Sequence, residues 1–178
     1  VEDETTALTT IKEQTNKLEQ KVHSLLYLNK LDYLKNTKNI TMEEINMTDI
    51  INTEVEKFKF HRKDIKFEVN IDKKSTFYGS VENWETILDN ILSNFMRYTK
   101  TTIKITVRQN KIILYNDGES IDKDFLEAIF TPFRKGIKGQ FGLGLSIVKK
   151  TLNLMDYDIT IKNEKKGVSF TITRDKKL

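Results

Sequence analysis

Between Thr5 and Leu34 the chain has no glycine or proline, and its apolar residues return every three or four positions. Leu8, Ile11, Leu18, Val22 and Leu25 form a stripe that Leu28 and Leu31 extend. Residues at that spacing share one face of an α-helix, and the near-heptad repeat predicts a single long helix. A lone helix cannot bury its own stripe. It must pack on a partner helix, another subunit or the domain that follows. This helix is the expected oligomer contact, a homodimer through the N-terminal segment. Residues 36–39 break the pattern and read as a linker, which divides the chain into a helical segment over 1–36 and a second domain over 40–178.

Past the linker the periodicity is mixed. Residues 40–47 make a weak strand, and 49–61 a helix that Thr48 is placed to cap. Alternation predicts a half-buried strand over 65–71, with another at 75–78 before Gly79 and Ser80 turn into a helix over 81–98. Strands at 102–108 and 111–115 form a hairpin around Gln109 and Asn110, followed by a short helix near 123–130. A helix over 143–154 and two strands, 158–163 and 168–174, complete the chain. Strands joined by hairpins with helices in long blocks predict an α+β fold: a two-layer sandwich of a mixed, mostly antiparallel sheet with helices on one face.

Composition removes several classes of function. Charged residues are 31% and aromatic ones 10%, values of a globular chain rather than a disordered one. Net charge is +4 with the lysines scattered, so nucleic acid is not the expected partner. The absence of cysteine excludes disulfides and thiolate metal sites, and two isolated histidines, His23 and His61, argue against zinc. No apolar run reaches the ~18–20 residues needed to span a bilayer. A chain opening on Val1 is expected to be part of a longer protein.

Two segments carry the chemistry. On the helix over 81–98, Ile87, Ile91, Leu92 and Phe95 mark the apolar face, while Asn90, Asn94 and Arg97 share another. Carboxamide oxygens suit a hard cation such as Mg²⁺, and a guanidinium suits phosphate. Farther along, Gly139, Gly142 and Gly144 fall within six positions immediately before a helix. Bare backbone N–H groups and a helix dipole at such a junction can receive a phosphate. The preceding stretch from Phe130 to Lys138 holds Phe133, the single proline Pro132, and the cations Arg134, Lys135 and Lys138. It reads as a mobile lid over a triphosphate. Between the two segments, Asn116, Asp117 and Gly118 end a strand in a turn that runs on to Ile121. Either Asn116 or Asp117 offers an oxygen that could accept the amino group of adenine.

Taken together these motifs resemble the ATP-binding catalytic domain of sensor histidine kinases, the Bergerat-type fold also found in gyrase, mismatch-repair and heat-shock-chaperone ATPases. Asn90 to Tyr98 is similar to the N box, Asn116 to Ser120 to the G1 box, Phe130 to Phe133 to the F box, and Gly142-Leu143-Gly144-Leu145 to the G2 box. Their order matches over 40–178, and Leu18 to Asp32 resembles the second helix of the family's dimerisation and phosphoacceptor hairpin. The resemblance implies that Asn94 holds Mg²⁺, that Asn90 assists it or the phosphates, and that Arg97 contacts phosphate. Tyr98, Asn116, Asp117, Gly118, Ile121, Phe133, Lys135, Gly139, Gly142, Leu143, Gly144 and Leu145 would line the nucleotide.

Three positions depart from the family pattern. Asn116 stands where an aspartate usually reads adenine, Ser120 replaces the second G1 glycine, and Phe95 replaces a small residue after Asn94. The related ATPases also need a glutamate four residues before the magnesium asparagine, to activate water. That position is Asn90, no general base, which points to a kinase rather than a hydrolase. His23 is followed by Ser24 rather than an acidic residue, so neither histidine matches the phosphoacceptor motif, and the acceptor is expected upstream. By implication the full protein is a plasma-membrane receptor with this portion cytoplasmic, passing phosphate to a response regulator. The alternative is a nucleotide-free dimerisation or regulatory module of the same fold.

Overall fold

A computed structural model describes residues 2–37, 41–72, 74–108, 110–133 and 142–174. In chain order the elements are α1 (Glu2–Thr37), β1 (Glu43–Ile45), α2 (Met47–His61), β2 (Lys66–Ile71), β3 (Phe77–Gly79) and α3 (Val81–Tyr98). They continue with β4 (Thr102–Arg108), β5 (Lys111–Asn116), α4 (Lys123–Glu127), α5 (Gly144–Leu154), β6 (Tyr157–Asn163) and β7 (Val168–Arg174). Five strands form one sheet in the order β2-β4-β5-β7-β6, while β1 and β3 pair separately. Only β2 and β4 run parallel in the large sheet; its other neighbours are antiparallel. This is the expected mixed, mostly antiparallel sheet under a layer of helices.

Period-two alternation decides which side of the sheet is covered. Ile103, Ile105 and Val107 of β4 and Ile112, Leu114 and Asn116 of β5 are buried, while Lys104 and Lys111 lie outside. The register aligns these side chains in rows: Val107, Ile112, Ile172 and Ile159; Ile105, Leu114 and Phe170; then Ile103, Asn116, Val168 and Asn163. Against the rows packs α3, whose Ile87, Leu88, Ile91, Leu92 and Phe95 are fully buried. Each such residue contributes roughly 1.5–3 kcal/mol of burial. Ser80 starts α3 by accepting the Asn83 N–H at 3.2 Å. Phe95 meets Phe170 edge-on at 5.0 Å, so the departure from a small residue is absorbed by the sheet behind it.

Several boundaries differ from the sequence reading. The second helix begins at Met47 with Asn46 as its N-cap residue, so Thr48 is not the cap; the Asn46 amide instead donates to Asp49 at 2.7 Å. The first strand shrinks to Glu43–Ile45 because its partner, β3, is itself three residues long. On β2 the alternation predicts a cleanly half-buried strand, yet Val69 is 38% exposed: β2 is an edge strand that the helices cover only in part. The long helix continues through residues 36 and 37, which the sequence assigns to the linker.

The stripe of α1 splits in two. Leu28 and Leu31 are buried against Leu143 and Ile147, with Tyr27 and Leu154 packed beside them. Lys150 pairs with Asp32 at 2.7 Å and Lys30 with Glu82 at 3.5 Å. Leu8, Ile11 and Leu18, by contrast, are each more than 60% exposed. No helix among the described residues is long and apolar enough to cross a membrane.

Candidate functional site

The sequence motifs converge where the C-terminal half of α3, the end of β5 and the start of α5 meet. Asn90 is half-buried on α3, and its Nδ2 donates to the Thr86 carbonyl one turn earlier at 2.8 Å. That bond fixes the amide, so Oδ1 is turned toward α5. A Cβ placed on Gly144 would lie 2.7 Å from Asn90 Oδ1, so a larger residue there would have to push the amide aside. Glycine at this position lets the backbone opening α5 approach the asparagine with its amide left in place.

Tyr98, at the other end of the same helix, closes on the turn after β5. A Cβ on Gly118 would sit 2.6 Å from the Tyr98 carbonyl oxygen and 2.6 Å from Asn116 Oδ1. Asn94 is half-buried and Arg97 exposed; neither side chain forms a hydrogen bond or ion pair among the described residues. Asn90, Asn94, Arg97 and Tyr98 share one face of α3; Gly144 faces Asn90, and Gly118 lies between Asn116 and the Tyr98 carbonyl.

Asn116 and Asp117 have different surroundings. Asn116 is 4% exposed and points with Ile112 and Leu114 toward the helices. Its Oδ1 accepts the Gly118 N–H at 2.9 Å. Asp117 turns the other way and ties β5 to the residues after α3. Its Oδ1 accepts the backbone N–H groups of Lys100 and Thr101 at 2.9 and 3.0 Å, and Oδ2 accepts the Thr101 hydroxyl. Partial burial works to raise the carboxyl pKa, but the Thr101 and backbone donors outweigh it and hold the group at about 2.

Ile121 is held by a residue that sequence reasoning missed. The Asn163 amide accepts the Ile121 N–H at 2.8 Å and donates to the Ile121 carbonyl at 2.7 Å. The signal was present: Ile159, Ile161 and Asn163 alternate along β6, so Asn163 falls on the inner face at the end nearest Asn116.

In the glycine segment, Phe133 (φ +65°) donates its N–H to the Gly142 carbonyl at 3.1 Å, and Gly142 itself has φ +56°. This closes the neck of the loop expected to form the lid. Phe133 is 56% exposed. Lys135 and Gly139 lie outside the described residues, as does most of that loop. Leu143 and Leu145 pack against apolar neighbours, Leu143 directly on Leu28 and Leu31. No cluster of three or more histidine or acidic side chains suited to a metal occurs among the described residues. The oxygen ligands on offer are amides.

The model of the family described as histidine kinase-, DNA gyrase B-, and HSP90-like ATPase matches residues 79–177. The chain belongs to that family. Within it the similarity is to histidine kinases. Sensor histidine kinase CssS of Bacillus subtilis (strain 168) is 39% identical over 160 residues, covering 88% of this chain and 35% of that protein. Sensor protein kinase WalK of Staphylococcus aureus is 28% identical over 184 residues, covering 93% of this chain and 43% of the relative. The chain thus spans less than half the length of these relatives. Among solved structures, Acinetobacter baumannii histidine kinase AdeS superposes with a TM-score of 0.73 at 21% identity, over 94% of this chain and 84% of AdeS. The matched residues run from the end of β3 through β7, with α1, β1, α2 and β2 before them.

Proposed function

We propose that this chain is the catalytic portion of a sensor histidine kinase that binds Mg-ATP and transfers the γ-phosphoryl group to a histidine, for relay to an aspartate of a response regulator. The observation that carries the reading is the apposition of Asn90 and Gly144, with Asn94 and Arg97 on the same face of α3. Asn94 is the magnesium ligand, with Asn90 Oδ1 available beside it; bound Mg²⁺ would supply neutralisation of the phosphate charge. The chain's own residues then do the positioning. Arg97 draws the phosphates toward α3, and the close backbone of Gly142 to Gly144 presents N–H groups to them. Asn116 meets the base, because both oxygens of Asp117 are already engaged with Lys100 and Thr101.

The position four residues before Asn94 holds an amide instead of a carboxylate, so nothing there deprotonates water. That favours transfer to a protein nucleophile over hydrolysis. Neither histidine of the chain is poised for the role. His23 lies beside Glu19 at 3.8 Å with no acidic residue following it, and His61 faces the Lys57 carbonyl at 2.8 Å. The acceptor is taken to reside in another segment of a membrane-anchored, dimeric receptor whose catalytic part faces the cytoplasm. The exposed half of the α1 stripe is the proposed dimer surface.

Isothermal titration with a non-hydrolysable ATP analogue, with and without Mg²⁺, tests the site. Magnesium-dependent binding lost in a folded Asn94→Ala variant is the expected result. A folded wild-type chain that ignores millimolar nucleotide would instead be a degenerate dimerisation module.

A further inference from the structure

Phe133 and Gly142 meet through two left-handed backbone conformations. Gly142 has φ +56°, which glycine adopts freely, but Phe133 has φ +65°, which a bulky side chain resists. Such a residue keeps that backbone only where its surroundings hold it. One hold is the bond from its N–H to the Gly142 carbonyl at 3.1 Å. A second lies in the chain before it, which is short and stiff. Thr131 donates its N–H to the Ala128 carbonyl at 2.9 Å, and the ring of Pro132 fixes φ at the next position. What fixes Phe130 therefore fixes Phe133.

Phe130 is held from outside its own segment. It is half-buried against the main core, and the Lys149 ammonium lies over its ring, 5.4 Å from the centroid. A cation in that place is attracted by the negative face of the ring. Lys149 stands on α5, and its ammonium is also paired with Asp158 of β6. Asp158 is braced in turn, since its Oδ1 accepts the Ile159 N–H at 2.8 Å. One cation thus joins α5, β6 and the ring that leads into Phe133. We propose that Lys149 is a positioning residue for the phosphate end of the site. It holds Phe130, and through Phe133 it holds the backbone of Gly142 to Gly144 that faces the phosphates. This rests on the nucleotide reading of the site given above. Lys149 touches no ligand; it acts through the Phe130 ring.

Titrations of the wild-type chain, Lys149→Met and Lys149→Arg with three ligands provide the test: a non-hydrolysable ATP analogue with Mg²⁺, inorganic triphosphate with Mg²⁺, and adenosine. Methionine keeps an unbranched stem and removes the charge; arginine restores the cation. Lys149→Met should weaken both phosphate-bearing ligands by about three- to tenfold and leave adenosine unchanged, with Lys149→Arg returning both to within about twofold of wild type. A general loosening of the fold would weaken adenosine as well. Phe130→Leu, which leaves Lys149 and Asp158 paired, should reproduce the loss, and adding Lys149→Met to it should cost nothing further. Where Lys149→Met does not fold, Phe130→Leu carries the same expectation by itself. Unchanged triphosphate affinity in folded Lys149→Met overturns the proposal, as does an equal loss for adenosine or an undiminished loss in the Phe130→Leu background. Any of these with a wild-type chain that binds the ATP analogue sinks this inference alone, whereas a wild type that binds none of the three sinks the nucleotide reading together with it.

Discussion

The two ends of one sheet face are built from opposite materials. At the far end the row Val107, Ile112, Ile172 and Ile159 is apolar from strand to strand and almost wholly buried. At the near end the corresponding row carries Asn116 and Asn163, and the turns beside it depend on Gly118, Gly144 and Gly167. Gly167 marks how tightly that end is drawn: a Cβ there would meet the Asn116 carbonyl oxygen at 2.0 Å. The same strands therefore divide the labour along their length. Stability is concentrated where the side chains are apolar, and recognition where backbone and amides come within contact of one another.

The division is broken most severely from the apolar end. Ile112 is fully buried in the far row, and Ile112→Ala should cost about 2–5 kcal/mol by lost burial plus the cavity left behind. Chemical denaturation measures that loss. Nucleotide affinity of the folded fraction should stay within about twofold of wild type, since the cavity opens at the far end of the row system; a large change in affinity would refute the separation.

Asp117 tests the near end by its structural rather than its recognising side. Asp117→Ala removes charge-assisted bonds from Thr101 and Lys100, and a loss of about 1.5–3 kcal/mol is expected at neutral pH. The pH dependence has a definite sign. The folded-state pKa of about 2 lies below the usual 3.8, so the stabilisation is present above about pH 4 and disappears as pH falls through 2. The gap between wild type and variant should close over that window, and a gap that persists to pH 2 would rule out the carboxylate as its origin.

Much of this was legible beforehand, and what was not has physical causes. The amphipathic stripe of α3 and the alternation of β4 were strong periodic signals, and both elements have the bounds that periodicity gave. The four motifs were visible as residue types, and Asn90 and Gly144 do meet across more than fifty positions of chain. Local chemistry did not decide between Asn116 and Asp117, because both present an oxygen. Only the register, which sends Asn116 inward beside Ile103 and leaves Asp117 to the strand-linking residues, separates them. Nor could the stripe of α1 announce where it would divide, since Leu18 and Leu28 are equally apolar in sequence and differ only in whether α5 lies beneath them.

Asn163 supplies the smallest and most discriminating perturbation. Its amide grips both backbone groups of Ile121, so Asn163→Ala removes two hydrogen bonds, each contributing about 0.5–1.5 kcal/mol. Because Ile121 is only half-buried, water can replace part of what is lost, which puts the expected change near 1–2 kcal/mol in denaturant. The consequence for the site should exceed the consequence for the fold. Ile121 follows the turn that holds Asn116 and Gly118, and freeing it loosens the base-facing end of the site while leaving Asn90, Asn94 and the phosphate-facing glycines untouched. Affinity for a whole nucleotide should then fall several-fold, whereas affinity for inorganic triphosphate with Mg²⁺, which has no base, should not change. Equal weakening of both ligands would mean that the two ends of the site are mechanically one, and that the amide row acts as a structural seam rather than as a support for the base.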